Sequence, residues 1–94
     1  MVTINDYDQY KQQFDALEKM MITDLDNALE KMIVLYIAIH KTLFRDISDK
    51  INVMVFEKGT LQTKTFLEKK LTAPESDFLK ELYQAWVDVI GSRC

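Results

Sequence analysis

Met32 to Ile39 is an unbroken run of eight apolar residues, Met-Ile-Val-Leu-Tyr-Ile-Ala-Ile. A helix or strand with apolar side chains on every side has no face that water will accept, so other elements must enclose this segment. The run falls far short of the ~20 residues a helix needs to cross a bilayer, which predicts the centre of a soluble core and no membrane span. Ninety-four residues fit a single domain, 1–94. A chain of this size buries roughly 60–65% of its unfolded surface, enough for one modest core without metal or disulfide staples.

The β-branched Ile33, Val34, Ile37 and Ile39 would suit a strand. Helical spacing continues on both sides of them, however, and length decides for a helix. Thr23 and Asp26 have the spacing of a helix cap, so this second helix is expected to start there and carry Leu25, Leu29, Met32, Tyr36, Ile39 and Leu43 on its apolar side. A first helix is expected to begin near Ile4, after Thr3 and with Asp6 at the positive helix end. Tyr7, Tyr10, Phe14, Leu17 and Met21 recur along it at spacings of three and four, a narrow seam that packs either on the next helix or on the same helix of a second copy.

Residues 51–66 support two readings. Ile51, Val53, Val55 and Phe56 have high strand propensity, Lys58-Gly59 can turn, and Thr60, Thr63 and Thr65 are interleaved with Leu61 and Phe66. The preferred expectation is a β-hairpin, with strands at about 51–57 and 60–66 and a positive φ at Gly59. The alternative takes Gly59 as the cap of a helix from Ser48 and places another helix over Thr60–Leu71. Thr72-Ala-Pro-Glu75 has capping-box spacing and predicts a last helix from about Pro74 to Ile90, with Leu79, Leu82, Tyr83, Trp86 and Ile90 on its apolar face and Gly91 ending it. The fold class expected is therefore α+β and mostly helical: two N-terminal helices, a β-hairpin and a C-terminal helix. An all-α bundle of four or five helices is its alternative.

Chemistry-bearing motifs are sparse. His40 is the only histidine and has no catalytic companion in sequence, so it reads as a packed residue bonded to backbone or to an acid such as Asp46. Asp24, Asp26 and Glu30 lack the glycine and closing glutamate of a calcium loop and read as helix-end acids. Two glycines cannot build a phosphate cradle, and two arginines, Arg45 and Arg93, are too few for an arginine-lined site. Neither a metal nor a cofactor is expected, and the protein reads as a non-enzyme. Cys94 is the only cysteine, so no intrachain disulfide can form. A single thiol and acid-bearing first residues, unlike a secretory signal, suggest a cytoplasmic protein.

Net charge is −3, unevenly spread. Residues 1–30 hold seven acids against Lys11 and Lys19, whereas residues 58–70 carry Lys58, Lys64, Lys69 and Lys70 against Glu68. Those four lysines are candidates for phosphate contact, but little aromatic interleaving accompanies them and the chain is acidic overall. What remains is surplus aromatic and apolar surface: Tyr7, Tyr10 and Phe14 on the first helix, and Tyr83, Trp86 and Ile90 on the last, the side-chain types that anchor protein interfaces. The expectation is a protein-binding or regulatory module, of small inhibitor, adaptor or chaperone type, that forms a homo-dimer. Nucleic-acid binding through the four lysines is the alternative.

Overall fold

A computed structural model of the chain describes residues 4–42 and 44–93. Thr3, Leu43 and Cys94, which figure in the sequence expectations, lie outside them. Among the described residues there are five helices and no strand: α1 (Ile4–Thr23), α2 (Leu25–Ile39), α3 (Arg45–Lys58), α4 (Leu61–Leu71) and α5 (Asp77–Arg93). The fold is the all-α bundle, and the β-hairpin expected over 51–66 is corrected to the α3–α4 pair.

The reason lies in which side chains are buried. A strand would put Ile51, Val53 and Val55 on one face. In the structure Ile47, Ile51 and Val55, four residues apart, are buried while Val53 is 49% exposed, the pattern of a helix. In α4 the buried pair is Thr63 and Leu67, again four apart. Thr60 starts α4 with a reciprocal capping box: its hydroxyl accepts from the Thr63 amide at 3.3 Å, and the Thr63 hydroxyl accepts from the Thr60 amide at 3.2 Å. Two otherwise orphaned N–H groups are thereby satisfied inside a packed region.

Gly59 is also corrected. Its φ is −53° and its ψ 136°, a conformation open to any residue, so no positive-φ turn is present. Glycine is required by proximity instead, because a Cβ at this position would lie 2.7 Å from the Val55 carbonyl oxygen and closer still to Ile90. The guanidinium of Arg93 in α5 donates to the carbonyls of Phe56 and Gly59, the latter at 3.0 Å, supplying partners to the end of α3.

The remaining boundaries shift by a few residues. Asp24, one residue beyond the expected Thr23, caps α2, its carboxylate accepting from the Asn27 amide at 3.4 Å. Thr23 is the last residue of α1. Thr72 is the C-terminal cap of α4, and α5 starts later than expected, with the Ser76 hydroxyl accepting from the Leu79 amide at 3.2 Å. Gly91 lies within α5, which runs on to Arg93.

The eight-residue run is the middle of the molecule, as its composition requires. Met32, Ile33, Leu35, Tyr36 and Ile39 are buried between α1 on one side and α3 and α4 on the other. α5 closes over α3 and α4. The core joins Phe14 of α1, the α2 run, Ile47, Ile51 and Val55 of α3, Leu67 of α4, and Leu79, Tyr83, Trp86 and Ile90 of α5. Cα extents of 39 × 33 × 17 Å describe a slab about two helices thick, with α1 at one edge, packed on α2 and reaching the start of α3.

Candidate functional site

Four of the six side chains expected at an interface are inside the core: Phe14, Tyr83, Trp86 and Ile90 are fully buried. Trp86 packs edge-on against Tyr36, ring centroids 5.5 Å apart, and donates its indole N–H to Asn52 of α3 at 2.9 Å. The Tyr83 hydroxyl donates to both carboxylate oxygens of Glu75, at 3.1 and 3.2 Å. Burial and that carboxylate push the Tyr83 phenol well above its usual pKa. These aromatic groups have both their apolar surface and their polar handles occupied within one chain.

Tyr7 and Tyr10 are half-buried against Phe44, at centroid distances of 5.1 and 5.9 Å. The Tyr7 hydroxyl donates to Asp46 at the start of α3, which raises the phenol and lowers the carboxyl. Asp46 therefore serves α1 and does not hold His40. The imidazole of His40 instead lies between rings, stacked on Tyr36 at 5.9 Å and on Phe78 at 5.6 Å. Partial burial, then the neighbouring Lys41, lower its pKa, and Glu75 opposes them.

The lysines do not form one basic face. Lys64 pairs with Glu68 at 3.5 Å, and Lys70 with Glu75 at 3.9 Å while lying 5.7 Å from the Phe66 ring. With 100° per residue, Lys64, Lys69 and Lys70 point to three sides of α4, and Lys58 sits on the last turn of α3. Asp24 caps α2, and Glu30 accepts from Gln62 of α4. Among the described residues no group of three or more His, Cys, Asp or Glu is placed to hold a metal, and no helix is long and apolar enough to cross a membrane.

Of the grooves left open at the surface, one of about 440 Å³ lies between α1 and α2 and has a single charged lining residue, whereas one of about 360 Å³ on α3 sets Val53 and Met54 among Asp49, Lys50, Glu57 and Lys58. Tyr10, Gln13, Ala16 and Leu17 line the α1–α2 groove from α1, and Lys31, Val34, Leu35 and Ala38 from α2. Val34, at 54%, and Ala38 are exposed, the parts of the apolar run that the chain does not cover. Of the six expected interface residues, Tyr10 alone reaches this groove.

Beyond Asp6 in its first turn, which falls on the groove side, the charges of α1 turn away from the groove. With 100° per residue, Asp8, Lys11, Asp15, Glu18 and Lys19 share an arc of about 100° on the far side, whereas Gln9, Gln13, Ala16 and Met20 occupy the groove flank. Depletion of charged residues marks the centre of protein interfaces. Ala16 and Ala38 were missed in the sequence because a search for large apolar anchors passes over alanine. The signal that could have found the flank was the arc of α1 that carries no charge after Asp6.

Compared with family models, curated proteins and solved structures, the chain matches none.

Proposed function

We propose that this protein is a non-enzymatic protein-binding module, of small inhibitor, adaptor or chaperone type, that docks its partner through the α1–α2 groove. The observation that carries the reading is the groove itself. It is a largely apolar channel, open to solvent, with Lys31 as its one charged lining residue, on a molecule that buries Phe14, Tyr36, Tyr83 and Trp86 in its own core. Its floor of Tyr10, Leu17 and Leu35 between the small side chains of Ala16 and Ala38 suits the ridge of an incoming helix. Nucleic-acid binding draws less support, because Lys64 and Lys70 already face acids and the basic residues diverge around α4.

The test is site-directed photocrosslinking in native cell extract. A photoreactive residue replacing Ala38 in the groove should give discrete protein adducts, and one replacing Val53 on the outer face of α3 should not. Equal labelling from both sites, or none from Ala38, would remove the groove as the docking surface.

A further inference from the structure

Resting on that reading, we infer that the occupant of the groove is a second copy of this chain, docked face to face about a twofold axis so that two α1–α2 hairpins form a four-helix interface. Three observations favour this occupant over a lone helix from another protein. The first is area. α1 and α2, of 20 and 15 residues, are about 30 and 22 Å long and form a face roughly 20 Å wide. With surface corrugation such a face offers on the order of 500–600 Å² per copy, so two copies bury about 1,000–1,200 Å², the lower bound for specific association. A single helix in the groove covers less.

The second observation is self-compatibility. A twofold interface sets one patch against itself, so a patch rich in one charge would repel its copy. This face has Gln9 and Gln13 on α1, whose amides both donate and accept, one acid, Asp6, in the first turn of α1, and one cation, Lys31, among its groove-lining residues, so neither sign dominates it. The third is the position of α1. It is the edge helix of a thin slab, packed on α2 and the start of α3, and a facing hairpin would cover the flank that its own chain leaves open.

An interface at this lower bound belongs to the weak, dissociable class, so the monomer–dimer equilibrium is expected to shift with concentration. Sedimentation equilibrium of the full chain, under reducing conditions that keep Cys94 from linking copies, would span about 5 µM to 1 mM. Ala16→Arg and Ala38→Arg, both at exposed positions, should each weaken association at least tenfold with the helical circular dichroism unchanged, while Val53→Arg should leave it alone. A strict monomer at 1 mM overturns the proposal, as does a dimer that survives both groove variants or is lost with Val53→Arg. If the chain is a monomer yet the Ala38 crosslinker captures one defined foreign protein, the binding reading stands and the second copy falls. If neither self-association nor a crosslink appears, both fall.

Discussion

Gly59→Ala sets two effects of opposite sign against each other at one atom. The backbone there, φ −53° and ψ 136°, is one that alanine adopts freely. On conformational grounds alone the substitution would stabilise the fold by about 0.4–1 kcal/mol, by restricting the unfolded chain. The added Cβ, however, would lie 2.7 Å from the Val55 carbonyl oxygen and 2.6 Å from Cγ1 of Ile90, with Cδ1 of Ile90 nearer still. Ile90 is fully buried and cannot swing into solvent, and the carbonyl belongs to helix backbone. Overpacking of this kind costs about 1–3 kcal/mol, so the net expectation is a loss of about 0.5–2 kcal/mol. For a domain of this size each kilocalorie lowers Tm by roughly 4–8 °C. Urea denaturation followed by far-ultraviolet circular dichroism and by the emission of the single tryptophan would measure it. A double-mutant cycle identifies the clash: Ile90→Val deletes Cδ1 and costs about 0.5–1.5 kcal/mol alone, but in that background Gly59→Ala should be milder by at least ~0.5 kcal/mol. If Gly59→Ala is neutral or stabilising, or if the two substitutions simply add, the close approach of α3 and α5 is misread.

Asn52→Ala should cost about 1–3 kcal/mol, because the buried Trp86 indole N–H loses its acceptor, and the cost should largely disappear in a Trp86→Phe background. Arg93→Ala removes the donors to the carbonyls of Phe56 and Gly59; at an exposed position the loss should be about 0.5–1 kcal/mol, read as a lower urea midpoint. His40 has a folded-state pKa below its usual value, so below about pH 6.5 the unfolded chain binds the proton first. Stability should fall as pH drops through the window between the ordinary and the lowered pKa, and His40→Gln should remove that slope. Tyr83 has the reverse profile: its raised phenol holds its proton while the unfolded chain ionises near pH 10, so stability should fall as pH rises above 10, and less so in Tyr83→Phe.

How far the molecule was legible in sequence depended on whether residue spacing admitted more than one period. Tyr7, Tyr10, Phe14, Leu17 and Met21 fit only a helix, as do Leu79, Leu82, Tyr83, Trp86 and Ile90, and both became helices with those sides inward. Ile51, Val53 and Val55 fit two periods, since every strand pattern i, i+2, i+4 contains a helical pair i, i+4. Ile47 would have broken the tie: 47, 51 and 55 form a helical ladder that begins before any strand at 51–57 could. Gly59 was ambiguous for a different reason, because a sequence marks where a side chain is missing but not whether torsion or a neighbour forbids it. The site was harder to read than the fold. An apolar stripe says which residues turn inward, yet it is silent on what they meet, and Tyr83 and Trp86 found their partners in Glu75 and Asn52. The open groove is defined by the smaller side chains of Ala16, Val34 and Ala38 and by the charges that α1, past Asp6, keeps to its far side. Folding consumes Phe14, Tyr83, Trp86 and Ile90, four of the anchors that the sequence offered, so in a helical module this small the surface left for a partner is better sought where charge is sparse than where aromatic residues are plentiful.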